Sequence, residues 1–298
     1  MKFESKENID LEYSLDGGQA FRWWNVDKGY RGVVGTHVYI LENNNDFISI
    51  NVLNENDDFQ KAISTIRNYL SLNNKIDDFV NLWIDDPCIG PSVRGYSGLR
   101  VLKQDPWECL FSFICSSTNN VSRIKLNVND VSILLGEKIF DGKYDFSFPK
   151  PEQCIVAGEN VFRKIGLGFR SKYVIDAARK ILDGSIILNE LKSIEYLEAR
   201  DKLMTINGVG GKIADCVLAF SLDKKESFPV DRHILRALIK WYGLPKNIMP
   251  EQAAIWARKR FGRHSSLANQ YIFHRERLSS RYHMWGGKHR DLIIDEDK

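Results

Sequence analysis

The chain has 298 residues, 43% hydrophobic and 27% charged, with seven Trp, eleven Tyr and sixteen Phe, which is length for two ordinary domains and apolar mass for a real core. Its 21 glycines and eight prolines are too few for a collagen-like or low-complexity chain; apolar runs such as Cys216–Phe220 are far too short for a bilayer, and the opening MKFESKENIDLEY lacks the apolar stretch of a secretory signal, so a soluble, intracellular protein is expected. Net charge is only +3, but residues 200–298 carry 19 Lys/Arg against 11 Asp/Glu while residues 1–199 carry 23 against 28, a split that points to a polyanion on one face or to two solvated surfaces that merely differ.

The first hundred residues read mainly as strands. Ile48, Ile50 and Val52 alternate with Ser49 and Asn51, the period of a half-buried strand. Asp27-Lys28-Gly29 and Asn43–Asp46 are turn clusters between apolar segments, which predicts an antiparallel meander. Phe59, Ile63, Ile66 and Leu70 then fall at helical spacing after Asp57-Asp58, a suitable N-terminal cap. From about residue 104 the pattern is helical. Asp105-Pro106-Trp107-Glu108 opens a helix with a capping Asp, a Pro that lacks an unneeded donor and an acid in the first turn. Further helices are predicted at about 120–135, 171–183, 194–205, 211–222, 232–242, 251–261 and 266–280, with Gly136, Gly184, Gly243 and Gly262 placed as C-terminal stops. The expected fold is α+β: a small antiparallel-sheet N-terminal domain with helices over 1–98, a larger all-α domain over 99–280, and a tail over 281–298 that is expected to be disordered.

Five cysteines (Cys88, Cys109, Cys115, Cys154, Cys216) form an odd, scattered set with no CxxC pair, as reduced thiols in a core do. An iron–sulfur cluster on four thiolates is not expected, because the last hundred residues hold only Cys216.

Chemistry concentrates in Leu203-Met-Thr-Ile-Asn-Gly-Val-Gly-Gly-Lys-Ile-Ala-Asp-Cys216. A helix ends near Thr205, Gly208, Gly210 and Gly211 make a tight turn, and a second helix starts at once. Glycines permit close backbone approach, and the new helix presents unpaired amide N–H groups, so the hairpin can grip a phosphate without reading sequence; a Gly-rich connection in a helical bundle would look the same. Lys212 lies in the first turn of that second helix, where the helix dipole disfavours an ammonium, and a lysine with its charged form penalised is a nucleophile. Cys216 and Phe220 follow at i+4 and i+8 and so share its face. The second constellation is Phe228-Pro-Val-Asp-Arg-His233. Asp231 is placed to cap the helix at 232–242, yet a carboxylate beside a sugar that develops positive charge is also what glycosidic cleavage needs.

Four segments in order, Gly17-Gly-Gln-Ala-Phe-Arg-Trp23, Gln104–Arg123, Gly166-Leu-Gly-Phe-Arg-Ser-Lys-Tyr173 and the hairpin with Pro229-Val-Asp231, resemble 8-oxoguanine DNA glycosylase/AP lyases of the eukaryotic type, in the helix-hairpin-helix GPD superfamily, and the chain looks like a prokaryotic member. The resemblance spans residues 15 to about 275. It implies that Lys212 attacks the anomeric carbon and forms a Schiff base, that Asp231 stabilises the reacting sugar, and that Gly18 offers its carbonyl to the N7 proton of oxidised guanine. It implies that Cys216 and Phe273 sandwich the flipped base in a pocket with Phe220 and Asn269, that Phe169 wedges into the gap, and that Arg123 and Arg170, with Thr118 and Asn119, face the orphaned cytosine. Gly208, Gly210, Gly211 and His233 would hold phosphates, and the carbonyls of Met204, Ile206 and Val209 a monovalent cation shared with DNA. No cofactor is otherwise implied. The partner would be double-stranded DNA containing 8-oxoguanine, met by a monomer with no membrane association in the cytoplasm or nucleoid. Asn269 and Phe273 lie four apart, so both can face one pocket. Thr118 stands where the family usually has the first of three asparagines, and Asn269 where it has a glutamine.

Two other functions fit parts of the sequence. One is a superfamily relative acting on another damaged base, although the thymine-glycol and adenine branches usually carry four cluster cysteines and alkylpurine enzymes usually lack the lysine. The other is a non-catalytic DNA-binding module, against which Lys212 and Asp231 both argue.

Overall fold

A computed structural model describes residues 2–6, 8–44, 47–54 and 59–285. The N-terminal part holds β1 (Lys2–Ser5), α1 (Leu11–Leu15), β2 (Trp23–Val26), β3 (Gly29–Val34), β4 (His37–Asn44), β5 (Phe47–Val52) and α2 (Phe59–Tyr69). The strands form one antiparallel sheet in the order β1-β5-β4-β3-β2, so β2 to β5 are the predicted meander and β1 returns to pair outside β5. Tyr39, Leu41, Ile48, Ile50 and Val52 meet Ala62, Ile63, Ile66 and Tyr69 of α2 in one core, the four helical residues lying on a single stripe. Ser49 was expected to face solvent but is buried. Its cross-strand partners are Glu4 on one side and Glu42 on the other, whose longer side chains flank it on the same face. The proposed Asp57-Asp58 cap, and Asn45-Asp46 of the turn cluster, lie outside the described residues.

The rest is helical: α3 (Asp77–Trp83), α4 (Gly90–Gly95), α5 (Pro106–Cys115), α6 (Val121–Leu135), α7 (Pro151–Lys164), α8 (Ser171–Leu182), α9 (Tyr196–Met204), α10 (Gly211–Ser221), α11 (Arg232–Tyr242), α12 (Pro250–Phe261) and α13 (Ser265–Trp285). Asp105 caps α5 as its sequence requires, accepting from the amides of Trp107 (3.0 Å) and Glu108 (2.9 Å). Helices α5 and α10 are apolar nearly all round and buried almost throughout, as befits the central pair of a bundle; α6 to α9 surround them. A second helical core joins α11, α12 and α13 to Phe79 and Trp83 of α3 and Val93 of α4. The segment Asp77–Gly95, assigned from sequence to the sheet-bearing part, therefore packs with the far end of the chain. No helix of the described residues is long and apolar enough to cross a membrane.

Three further expectations are revised. Gly136 follows α6 in extended backbone (φ −82°) rather than in a left-handed cap; it is glycine because a Cβ there would stand 2.0 Å from the Ser147 carbonyl oxygen. Helix α7 was missed: Pro151 starts it, but Gly158 at φ +74° breaks it into two short pieces, neither long enough to show a clear period. Helix α13 runs on to Trp285, five residues into the expected tail, since no breaker occurs before Gly286. Residues 286–298 lie outside the described residues.

Candidate active site

The hairpin between α9 and α10 is closed by the Val209 amide donating to the Ile206 carbonyl (3.0 Å) and docked on α8 by two residues. The Asn207 amide donates to Asp176 Oδ2 (2.8 Å), and the ring of Tyr173 lies so close to Gly208 that a Cβ there would meet it at 2.3 Å. Gly208 also has φ +78°, so glycine is required twice over. Gly210, by contrast, caps α10 with nothing within 4 Å of a Cβ position and no side-chain cap. The positive end of α10 is therefore open at Gly210, while at Gly211 the Arg200 guanidinium and the Glu251 carboxylate lie against the backbone. On the carbonyl side, the Lys180 ammonium donates to the Thr205 carbonyl, between Met204 and Ile206. That ammonium lies on the same edge as the candidate carbonyls and opposes a second positive charge there.

Lys212 projects from the first turn of α10. Its Nζ donates to Ser116 Oγ (2.9 Å) just past the end of α5 and stands 5.2 Å from the ring centre of Phe113. It lines a pocket of about 350 Å³, part of it open to solvent, with Gly18, Phe113, Cys216, Phe220, Asp231, Asn269 and Phe273. The two candidate catalytic residues and all five candidate base-pocket residues thus meet in one place, delivered by α1's exit, α10, the N-terminus of α11 and α13.

Each wall has a local cause. Gly18 has φ +83°, and a Cβ there would meet Phe273 Cε1 at 3.2 Å. Its neighbour Gln19 is fully buried and fixes the segment: Nε2 donates to the carbonyls of Ser14 (3.0 Å) and Arg100 (2.7 Å), and Oε1 accepts from the Leu102 amide (2.9 Å). Asp231 is the predicted N-cap of α11, its Oδ1 accepting from the amides of His233 (2.9 Å) and Ile234 (2.8 Å); the cap does not use Oδ2. Burial pushes the Cys216 thiol up to about 12, the Lys212 ammonium beside it opposing, so at neutral pH it is a neutral, polarisable wall. His233 sits edge-on to Phe273 (centroids 6.1 Å apart), with Arg236 Nη2 3.1 Å from its Nδ1. Burial lowers its pKa below the ordinary value; Arg236 and Arg232 act in the same sense, Asp231 and Glu276 against. The Asn269 amide donates to the Pro229 carbonyl (2.8 Å) and is only 2% exposed, so one of its N–H groups is engaged with the chain while the residue lines the pocket.

The candidate cytosine contacts gather elsewhere, around the turn after α5. Arg170 donates to the carbonyls of Ser117 (Nε, 2.7 Å), Thr118 (3.1 Å) and Leu167 (3.2 Å) and lies 4.6 Å over the ring of Phe169, which is 44% exposed. Arg123 is exposed, its guanidinium against Gly166. Asn119 is engaged locally: Nδ2 donates to the Cys115 carbonyl (3.1 Å) and Oδ1 accepts from the Asn120 amide (3.0 Å). Sequence reasoning missed Phe113, Ser116, Pro229, Ile234 and Gln270. The first two lie inside the quoted stretch Gln104–Arg123, and only the turn of α5 toward α10 singles them out; Gln270 neighbours Asn269 and also lines the pocket.

Residues 2–110 match the family model for the 8-oxoguanine DNA glycosylase N-terminal domain, and residues 111–261 the one for HhH-GPD superfamily base excision DNA repair proteins. The chain is 31% identical over 273 residues to the N-glycosylase/DNA lyase of Saccharomyces cerevisiae, covering 82% of this chain and 71% of that one. It is 34% identical over 245 residues to N-glycosylase/DNA lyase OGG1 of Arabidopsis thaliana, covering 76% of this chain and 64% of the plant protein. Its fold superposes on the Clostridium acetobutylicum 8-oxoguanine glycosylase/lyase, solved with double-stranded DNA containing cytosine opposite 8-oxoguanine, with a TM-score of 0.86 at 29% identity, over 94% of this chain and 98% of that one. The chain is an enzyme of the 8-oxoguanine DNA glycosylase family, within the HhH-GPD superfamily of base excision DNA repair proteins.

Proposed function

We propose that this protein binds duplex DNA, extrudes 8-oxoguanine paired with cytosine into the pocket beneath Gly18, and removes it with Lys212 as nucleophile. The observation that carries this reading is the lysine at the mouth of a pocket shared with a carboxylate, a neutral thiol and an aromatic ring. The Lys212 lone pair forms a bond to C1′ as the glycosidic bond breaks, and its electron pair leaves with the base. Asp231 supplies negative charge while the sugar develops positive charge. The alkylated amine gives a proton to the departing base anion, its nitrogen lone pair then opens the ring with O4′ protonated from water to give a Schiff base, and loss of a 2′ proton to water expels the 3′ phosphate by β-elimination. The Gly18 carbonyl accepts the N7 proton that oxidised guanine carries and guanine lacks, and Cys216 and Phe273 clasp the ring. Extrusion costs a few kcal/mol, which the Phe169 wedge and the Arg123 and Arg170 contacts to cytosine offset.

Phosphates would rest on the amides at Gly210 and Gly211 and on His233, and a monovalent cation on the carbonyls of Met204, Ile206 and Val209 would draw a phosphate to the hairpin. The chemistry runs on Lys212 and Asp231 with no organic cofactor, in a monomer acting wherever the cell's DNA lies. The test is borohydride trapping on duplexes carrying 8-oxoguanine, guanine or other damaged bases opposite cytosine. The expected result is a covalent complex with 8-oxoguanine alone, abolished by Lys212→Gln while lesion binding persists. A trapped adduct in Lys212→Gln refutes the nucleophile; equal release of guanine, or preference for another lesion, refutes the Gly18 contact.

A further inference from the structure

We infer that the turn Ser116–Asn119 couples the base opposite the lesion to the nucleophile, with Ser116 as the positioning residue of Lys212; this rests on the reading of Lys212 and Arg170 given above. Five contacts converge on these residues. Ser116 Oγ accepts from Lys212 Nζ (2.9 Å). Its own proton is donated to the Phe113 carbonyl (2.6 Å), so toward the lysine it can only accept, and it holds the amine by an N–H. One and two residues on, the carbonyls of Ser117 and Thr118 accept from Arg170. Asn119 anchors the far end on the Cys115 carbonyl. The guanidinium that would read the orphaned base and the hydroxyl that holds the lysine are thus tied to consecutive residues of one turn.

That turn is strained. Thr118 has φ +51°, a left-handed conformation that is a genuine outlier for a β-branched side chain and that persists only where surroundings enforce it. Arg170, donating on both sides of the Thr118 nitrogen, is the visible clamp. Cytosine presents O2 and N3 as acceptors and competes for the same guanidinium donors. When it takes them, the clamp on Thr118 opens, the backbone relaxes to negative φ, and Ser116 Oγ moves off Lys212, leaving the amine free to advance on the sugar. An opposite base that does not draw Arg170 away leaves the lysine held.

Single-turnover base release opposite cytosine and opposite adenine, together with borohydride trapping, tests the coupling on the full chain. Ser116→Ala unties the lysine whatever the opposite base, so the rate opposite adenine is expected to rise and the cytosine-to-adenine ratio to fall at least fivefold, with trapping retained. Ser116→Thr keeps the oxygen and should keep the ratio. Thr118→Gly removes the strain and keeps the carbonyl that Arg170 binds but loses the hydroxyl on the cytosine side, so Thr118→Ala, which loses the hydroxyl and keeps the strain, is its control: the rate opposite cytosine should fall further in the glycine variant than in the alanine one, while that opposite adenine does not. If Ser116→Ala does not fold, the Thr118→Gly result decides alone. Equal slowing on both duplexes, or no change in the ratio for either variant, overturns the coupling while loss of trapping in Lys212→Gln leaves the nucleophile standing. Trapping that survives Lys212→Gln removes both.

Discussion

Asp231 serves two electrostatic ends with one carboxylate. Oδ1 caps α11, and the charge lies on the wall of the pocket that holds Lys212. Asparagine can accept the same two amide bonds but carries no charge. Asp231→Asn is therefore expected to shift stability by less than about 1 kcal/mol while base release slows by about a hundredfold or more; thermal unfolding beside single-turnover kinetics separates the two. His233 gives a second test. Its imidazole is held below the usual histidine range by burial and by Arg236 and Arg232, so the free protein carries it neutral near pH 7, and its folding contribution is present above the ordinary value and lost as pH falls through the lowered one. If His233 meets a phosphate as proposed, that anion favours the cationic form, and DNA binding would then take up a proton. Affinity should rise as pH falls from 7 toward the lowered value, and His233→Ala should flatten that slope in binding titrations. Lys212, Asp231 and Gly18 were legible in the sequence because each belongs to a short motif, and Phe273 through its four-residue spacing from Asn269. Ser116 and Phe113 were not, because a hydroxyl and a ring among apolar residues carry no signal until α5 and α10 lie side by side.

The hairpin shows how one element divides labour between neighbouring glycines. At Gly208 a methyl group would strike the Tyr173 ring and hold a residue at φ +78°, so Gly208→Ala is expected to cost about 2–5 kcal/mol. At Gly210 the space is open and φ is −97°, so Gly210→Ala should leave stability within about 0.5 kcal/mol. It should nevertheless weaken binding to damaged and undamaged duplexes alike by several-fold, because the methyl would stand over the amides proposed to meet phosphate rather than base. Denaturant unfolding and fluorescence anisotropy on both duplexes check the pair. Strongly amphipathic helices such as α8 and α11 were readable to within a residue or two, since their apolar stripes repeat cleanly. Helix α7 and the short α3 and α4 were not, because a Gly break or a length of about two turns hides the period.

At the scale of the whole molecule, the sheet and the helical bundle are joined by polar wiring as much as by apolar contact. Gln19 alone bonds three backbone groups on two segments. Gln19→Leu keeps the bulk but strands those groups, each worth about 1–3 kcal/mol when buried and unpaired. A loss of at least about 3 kcal/mol in urea unfolding is expected, with base release reduced because the Gly18 carbonyl is no longer held. The division into a sheet part and a helical part could be read from the change of period near residue 104; that Asp77–Gly95 crosses to the far bundle could not, because which apolar faces meet is decided by three-dimensional closure and not by local pattern. That crossing governs when a growing chain becomes competent. Leu99, Cys88 and Asp16 supply carbonyls to Tyr271, Arg275 and Arg277, partners 172, 187 and 261 residues downstream, and the loop closures they demand are entropically slow. The pocket shares this late geometry, since Gly18 near one end meets Phe273 near the other. A ribosome-bound chain can fold its sheet and its central helices early, yet it has no cavity able to admit a base until α13 has emerged and docked. The amine on Lys212 is thus made well before the pocket that encloses it is complete, and an aborted translation product would carry that amine without the chamber α13 closes.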